Sequence, residues 1–368
     1  MADITSKVAE GLANAGLMAW EVWWALVLGF GISAIVQAWV PRERIESALS
    51  GGGFVPVGKA TALGAASSSC SYAAIAIAKS LLAKGASAAS ALAFQFASTN
   101  LVWELGLVLW ILIGWQFTLA EYIGGVVMIV LMAAMLRLFV SRRLEEEARE
   151  HAQTAASDHE HHSAGSRMPW QQRILSSEAW SDVAHNFRAD WQLLWKEITI
   201  GFLLAGYIAL LGEDFFNDVF LSGESGLLPT LWNVVAGPLI AVASFVCSIG
   251  NVPLAAVLWS GGISFAGVMA FIFADLIVLP IIVAYSKYYG WAFAIRISAL
   301  MLVTMVLAAL AIDGLFAAVD LIPTDRPSTD EVFGSIELNY KALLNVLAVI
   351  VFTALMYLTV RHPRAHHH

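Results

Sequence analysis

The sequence predicts an all-α polytopic membrane protein with two inverted structural repeats, each with a broken, re-entrant Cys-Ser hairpin, and an extra C-terminal helix. Of its 368 residues, 59% are hydrophobic and only 13% are charged, whereas soluble domains carry roughly 25% charged residues. Several apolar stretches run for about 20 residues, the length that crosses a bilayer core as a helix. One segment also recurs later in the chain, so that the surroundings of Cys70 match those of Cys247.

Hydropathy divides the chain into nine apolar segments. Their approximate ranges are 17–40, 55–83, 87–113, 118–140, 192–212, 230–260, 263–285, 291–312 and 340–360. The intervening composition predicts six regions. They are a first transmembrane repeat (1–140), a cytoplasmic, polar, His-containing linker (141–190), a second transmembrane repeat (191–315), an acidic external loop (316–339), a C-terminal transmembrane helix (340–361), and a tail whose last three histidines match a purification tag (362–368).

The internal repeat centres on the only two cysteines. Cys70 lies in GAASSSCS, the first knot (64–71), and Cys247 lies in SFVCSIGNVP, the second knot (244–253). The interval from Cys70 to Cys247 is here called the repeat spacing. Each cysteine stands in an A-S-x-x-C-S pattern, and a gap-free alignment of 66–97 with 243–274 gives 13 identities in 32 positions. Two-fold internal repeats of this kind are typical of secondary transporters.

Charge placement indicates how the two repeats are oriented. If all nine segments crossed, Arg42 and Arg44 would lie opposite the basic stretch 141–190, against the positive-inside rule. If the second and sixth segments instead enter and turn back, these basic loops become cytoplasmic and the acidic stretch 313–339 becomes external. Each of these two segments holds a small polar knot that weakens a continuous helix. We therefore predict seven crossings, two re-entrant hairpins and an external N-terminus.

The two knots form the predicted substrate site. Thiolates select soft partners such as Cu(I), Zn(II) or trivalent arsenic, and two symmetry-related cysteines would face each other near the midplane. The alternative is that the cysteines and serines only permit close helix packing. The candidate substrate-binding residues are Cys70, Ser71, Ser67, Ser68, Ser69, Cys247, Ser248, Ser244, Asn251 and Pro253.

Two acidic residues interrupt apolar segments, namely Glu104 in STNLVWELGLVLW and Asp275 in FIFADLIVLP. An ionisable side chain within a bilayer is costly and is by default a functional hypothesis. We interpret both as proton-coupling candidates, and the alternative is a satisfied interhelical hydrogen bond. The polar cluster beside Glu104 consists of Gln95, Ser98, Thr99 and Asn100.

Other chemistries have less support in the sequence. The linker histidines His159, His161 and His162 lack the i, i+4 spacing of a helical site, so we interpret their stretch (151–165) as a disordered linker that binds metal weakly. The patterns G-x-x-x-x-G-K-[ST], H-E-x-x-H and G-x-S-x-G do not occur. We therefore expect no enzyme, no cofactor and no nucleic-acid partner. The expected partners are the lipid bilayer and a small-molecule or metal(loid) substrate, and a homo-oligomer is compatible with the sequence.

The knots and the segments after them, AKGASAASALAFQFASTNLVWELGLVLW and VCSIGNVPLAAVLWSGGISFAGVMAFIFADLI, resemble the predicted permease family that includes the bacterial ArsP organoarsenical efflux permeases. The similarity covers about residues 17–315. It implies a permease of the bacterial inner membrane, with export of trivalent organoarsenicals in one branch and of heavy metals in others. This sequence has Ala76, Ser68 and Ser69 where the family often has a proline and further cysteines. The motif residues carried over by position are Cys70, Ser71, Cys247, Ser248, Asn251 and Pro253.

The leading hypothesis is a secondary transporter that couples proton movement to efflux of a small thiophilic solute, an organoarsenical or heavy-metal species, along the two knots. One alternative is a permease for a non-metal small molecule, in which the cysteines merely pack. Others are a channel, which would conduct without saturating, and a structural membrane protein, which would need neither Glu104 nor Asp275.

Overall fold

The computed structural model consists of helices and short 3-10 turns, without strands, in the residues that it describes: 2–39, 54–67, 71–156, 176–211, 219–220, 226–244, 248–326 and 340–361. The first half contains α1 (Ala2–Trp39), α2 (Phe54–Ser67), α3 (Ser71–Ala83), α4 (Ala88–Asn100), α5 (Trp103–Leu112), α6 (Trp115–Phe139) and α7 (Arg142–Ala156). The second half contains α8 (Ser177–Ile208), α9 (Leu227–Ser244), α10 (Ser248–Ser260), α11 (Phe265–Phe273), α12 (Leu279–Tyr289), α13 (Trp291–Ala318) and α14 (Tyr340–Arg361). Short 3-10 turns follow α8 (Ala209–Leu211) and α11 (Ala274–Ile277).

Helix boundaries recur at the repeat spacing. Helices α3 and α10 both begin and end at positions related by this spacing, and α4 is matched in the same way by α11 together with its 3-10 turn. The preceding turns match as well: Gly85 and Gly262 have φ of +99° and +96°, which glycine adopts without steric cost. Ser87 and Ser264 then cap the next helices by accepting a backbone N–H three residues later. The same turn is therefore encoded twice.

Four helical stretches among the described residues are long and apolar enough to cross a membrane: 88–112, 115–139, 291–318 and 342–361. A fifth candidate combines 265–277 with 279–289, bent by 40°. The described parts of α3 and α10 have 13 residues each. The chain is thus a polytopic helical membrane protein.

Close contacts in the second half show the relative direction of α9 and α11. Asn233 lies against Gly267, and one turn further along α9, Gly237 lies against Gly267 and Phe271. The two helices therefore run the same way. Because the short turn 261–264 joins the end of α10 to the start of α11, α9 begins at the end of the bundle where α10 finishes.

The first half repeats this packing. Gly64 of α2 lies against Phe94 and Ala97 of α4, and the repeat spacing relates Gly64 to Ala241 of α9 and Phe94 to Phe271 of α11. From this correspondence we infer that α2 runs in the direction of α4, so that α2 begins at the end of the bundle where α3 finishes.

The two halves have their turns at opposite ends of the bundle. At one end, here called the α7 end, Arg149 binds the turn between α3 and α4, and Arg296 of α13 donates to the carbonyl of Phe139 at the end of α6 (2.8 Å). At the other, the Arg326 end, Arg326 binds the turn between α10 and α11, and Phe117 at the start of α6 packs against the same turn. Helices α6 and α13 connect the two ends in opposite directions.

Helices α1, α8 and α14 pack against one another. Gly11 of α1 faces the ring of Tyr207 on α8. Asn345 ties α14 to α1, because its amide donates to the carbonyl of Trp20 (2.8 Å) and accepts from the backbone N–H of Trp24 (3.0 Å). Most of the outer surface of α14 stays apolar and exposed, as expected for a helix that faces lipid.

Two expectations from the sequence differ from the structure. Helix α1 begins at Ala2, well before the predicted apolar segment 17–40, because its polar first half packs on α8. Helix α7 extends to Ala156, so the interpretation of 151–165 as a disordered linker is wrong for its first residues, 151–156. Ala148 and Ala152, one turn apart, are buried where α7 packs on α3 and α12. His159, His161 and His162 lie outside the described residues.

Candidate functional site

Asp275 is the point where the two halves of the protein meet. It lies in the 3-10 turn after α11 and is fully buried. Its Oδ2 accepts hydrogen bonds from the hydroxyl of Ser71 (3.5 Å) and from the hydroxyl of Ser248. These serines directly follow Cys70 and Cys247 and are the first residues of α3 and α10. Both knots therefore converge on one carboxylate.

The surroundings of Asp275 act on its charge in opposite ways. Burial away from water disfavours an ionised carboxylate, at a cost of several kcal/mol in a membrane. The two hydroxyls favour it, since a hydrogen bond to a charged group contributes about 1.5–3 kcal/mol. A group balanced in this way is suited to change its protonation state.

Three other knot residues lie within the described helices. Asn251 is completely buried one turn after Ser248 on α10. Pro253 lies inside the same helix and lacks the N–H that would bond four residues back. Ser67 ends α2 and donates to the carbonyl of Gly64 in its own helix (2.8 Å).

Several predicted residues lie beyond what the structure describes. The backbone of Ser244 ends α9, but its side chain is outside the described part. The remaining members of the two knots fall in the gaps 68–70 and 245–247; they are Ser68, Ser69, Cys70 and Cys247.

The predicted polar cluster lies on α4, and all four of its side chains are buried. Gln95 donates to the hydroxyl of Tyr285 on α12, and Tyr285 in turn donates to the carbonyl of Leu276, next to Asp275 (3.2 Å). The hydroxyls of Ser98 and Thr99 bond the carbonyl of Gln95 in their own helix. Only Gln95 thus links the cluster to the Asp275 centre by a chain of hydrogen bonds among the described residues.

Asn100 completes the cluster from within α4. Its amide donates to the carbonyl of Phe96 (3.2 Å) and to the hydroxyl of Thr99 (3.0 Å). These bonds satisfy the amide N–H groups of Asn100 at the end of α4, where the helix stops before α5 begins.

Glu104 is buried in the first turn of α5, as the sequence predicted for a residue within the membrane. Its Cβ lies 2.7 Å from the position that a Cβ on Gly29 of α1 would take. Glycine is therefore required at position 29 for α1 to approach the acidic residue.

Glu121 of α6 is a third buried acid that the sequence analysis missed. Its side chain has no exposed surface, and neither carboxyl oxygen has a hydrogen-bond partner in the described part of the chain. Its charge would interact with that of Asp275. The available signal was an acidic residue three positions after the start of the predicted apolar segment 118–140, which resembles an interfacial residue when read from sequence alone.

Arg149 and Arg326 were also missed, although the same repeat spacing separates them. Arg149 donates to the carbonyls of Leu82 and Ala86 (both 3.2 Å). Arg326 donates to the carbonyls of Trp259 and Ile263 (2.7 and 2.9 Å), which are the equivalent positions in the second half. Each arginine thus satisfies carbonyls at the end of the helix that follows a knot.

Arg326 is the more enclosed of the two arginines. Its guanidinium lies over the ring of Trp259, 3.9 Å from the centroid, and burial lowers the pKa of Arg326 from its ordinary value. Arg149 has additional support from Glu145 (3.7 Å), whose carboxylate also accepts the N–H of Ala88 (2.7 Å).

Within the described ranges, no group of three or more His, Cys, Asp and Glu side chains is arranged to hold a metal ion. The fold and this centre together define a multi-pass helical membrane protein of the permease class, in which interrupted helices meet around a buried charge. The chain belongs to the predicted permease family ArsP_1, whose model matches residues 9–314.

A relative in Mycobacterium tuberculosis, named "Putative permease Rv2963", is 44% identical over 308 residues. The match covers 81% of this chain and 74% of the relative. No solved structure matches the chain. Membership of this family supports a membrane transporter.

Proposed function

We propose that this permease is a proton-coupled secondary transporter that exports a small thiophilic solute between the two knots. The observation that carries the proposal is the convergence of Ser71 and Ser248 on the single carboxylate of Asp275. A substrate path and a proton-binding group then share one place in the middle of the bundle. A solute that displaces these hydroxyls changes the environment of Asp275, which couples solute binding to proton binding.

The helix directions support two re-entrant hairpins of inverted orientation. Helices α2 and α3 have their outer ends at the α7 end, and α9 and α10 have theirs at the Arg326 end. Non-helical backbone at membrane depth is tolerated where it lines a wet cavity. Both knots would then reach the same depth from opposite sides, as the alternating-access transporters built from inverted repeats require.

The distribution of basic residues supports a cytoplasmic α7 end. Seven basic residues lie near that end: Lys84, Arg137, Arg142, Arg143, Arg149, Lys287 and Arg296. At the other end, Arg326 is accompanied by Asp320 and Asp325. By the positive-inside rule the α7 end faces the cytoplasm, and the mycobacterial relative supports a bacterial plasma membrane.

The thiophilic substrate is proposed from the chemistry of Cys70 and Cys247. In the sequence, each directly precedes a serine that bonds Asp275. Thiolates bind trivalent arsenic and soft metal ions. Glu104, beside α1, is proposed as a second group in proton coupling, and Gln95 as the residue that positions Tyr285 next to Asp275.

Transport into everted membrane vesicles tests this proposal. The solutes are trivalent methylarsenical, arsenite, Cu(I) and Zn(II), each with and without an imposed proton gradient. We expect saturable, gradient-dependent uptake of at least one soft solute, and its loss in Asp275→Asn. Cys70→Ser with Cys247→Ser is expected to abolish uptake of the soft solute while the protein still inserts and folds.

The outcomes separate the alternatives. Uptake that neither saturates nor responds to the gradient would identify a channel. Uptake that the double cysteine variant retains would show that the thiols are not needed to bind the solute, and would leave the serines and Asn251 as its ligands. If no vesicle preparation transports any solute, and Asp275→Asn has no phenotype in cells, the transporter proposal fails.

A further inference from the structure

Glu121 stands between the Arg326 end and Asp275. It lies six residues into α6, or ~9 Å from that end of the helix. Asp275 lies ten residues after the start of α11, or ~15 Å from the same end. Helices α6 and α11 run side by side in one direction, since Phe117 contacts Phe265 and Gly124 contacts Phe273. Glu121 therefore lies closer to the Arg326 end than Asp275 does.

The environment of Glu121 does not support a permanent negative charge. Its carboxyl is fully buried, and within the described residues neither oxygen accepts a hydrogen bond. An ionised carboxylate in such a place would cost several kcal/mol. Two ionisable groups interact with Glu121: Asp275, next to α11, and Tyr122 on its own helix. Tyr122 also interacts with Glu104 of α5. No arginine or lysine of the described chain forms an ion pair with Glu121.

A purely structural role explains these features poorly. Buried polar groups in folded proteins are nearly always hydrogen-bonded, and a carboxyl used for packing could be replaced by an apolar side chain at lower cost. The adjacent residue Tyr122 follows this rule, since its hydroxyl donates a hydrogen bond to the carbonyl of Val102 (3.3 Å). Glu121 retains an acidic group where the described residues provide no such partner.

We propose that Glu121 is a second proton-carrying residue, which receives a proton from the Arg326 end and passes it on to Asp275. This inference rests on the proposed proton coupling at Asp275. The proton enters on Glu121, moves to the carboxylate of Asp275 through water or a polar neighbour, and leaves at the α7 end when the solute takes its place. One proton is taken up and one released in each cycle, and no other reactant is consumed.

Infrared spectroscopy of the full-length protein in lipid tests the resting state without any solute. A protonated carboxyl in an apolar site shows a C=O stretch separate from those of carboxylates. We expect this band in the wild-type protein, a loss of its Glu121 component in Glu121→Gln, and no change in Glu147→Gln. Glu147 is an exposed carboxylate on α7, paired with Arg143 (2.9 Å), and serves as the matched control. An unchanged band in Glu121→Gln overturns the proposal.

Proteoliposomes loaded with trivalent methylarsenical then separate coupling from solute binding. In Glu121→Gln we expect gradient-driven export to fall by about tenfold or more. Counterflow, which exchanges labelled for unlabelled solute without net proton movement, should stay within about twofold of wild type. Glu121→Asp, which keeps the acid, should retain both activities and guards against a folding defect. If Glu121→Gln loses export and counterflow equally, Glu121 has only a structural role and the proposal is wrong.

Failure of this inference is distinguishable from failure of the proposed function. If the wild-type protein moves no methylarsenical, the thiophilic substrate is wrong, while the infrared band still decides the state of Glu121. If the wild type couples to protons and Glu121→Gln couples equally well, Asp275 works alone and the inference is overturned.

Discussion

Replacing Ser248 by alanine should destabilise the junction of the two halves by an amount that depends on Asp275. The hydroxyl of Ser248 donates to the buried Oδ2 of Asp275, and a bond to an ionised acceptor contributes about 1.5–3 kcal/mol. When Asp275→Asn is the background, the acceptor is neutral, so Ser248→Ala should lower the free energy of unfolding by only about 0.5–1.5 kcal/mol. The double-mutant cycle should therefore show a coupling of about 1 kcal/mol. The hydroxyl of Ser71 lies 3.5 Å from the same oxygen, so Ser71→Ala should lower the free energy of unfolding by less than Ser248→Ala does.

Equilibrium unfolding in mixed detergent micelles at alkaline pH, which favours ionised carboxyl groups, measures these free energies. Ser67→Ala is the matched control, because Ser67 is as buried as Ser248 but bonds a carbonyl of its own helix. Ser67→Ala should lower the free energy of unfolding by less than about 1 kcal/mol, whether or not Asp275 is also replaced. The reasoning is refuted if Ser248→Ala costs no more than Ser67→Ala, or if the cycle shows no coupling.

Two further predictions concern the packing that holds the centre in place. Arg149→Gln and Arg326→Gln should each lower the free energy of unfolding by about 1.5–3 kcal/mol in the same assay, because each loses matched bonds to two carbonyls; an effect in only one of them would contradict their equivalence. Gly201→Ala should cost about 1–3 kcal/mol, since its Cβ would meet the backbone of Gly250. Gly16→Ala, whose Cβ would meet nothing within 4 Å, should cost nothing by comparison.

Features that depend on local sequence were predictable. Small polar residues weaken a helix wherever they cluster; α2 and α3 lie on either side of the first knot, and whether the helix breaks there stays a prediction, since 68–70 lie outside the described residues. The repeat spacing also relates the ends of α3 and α10, at Ala83 and Ser260. The burial of Glu104 and Asp275 followed from their apolar surroundings. Each of these depends on a few neighbouring residues.

Features that depend on contacts between distant segments were not predictable. Nothing near Asp275 in the chain indicates that serines 204 and 27 residues away bond the same oxygen. Glu121 resembles an interfacial residue until α11 is packed against α6. Arg149 and Arg326 lie outside the aligned stretches, in polar regions where a repeat is hard to recognise.

Cross-linking between the two knots tests most directly that they meet at Asp275. In a background with Cys70→Ser and Cys247→Ser, the variant Ser71→Cys with Ser248→Cys should form a cross-link with a short thiol reagent, since both hydroxyls reach one oxygen. Ser87→Cys with Ser248→Cys, separated by the ~20 Å length of α3, should not link. A link in the second pair but not in the first would contradict the account.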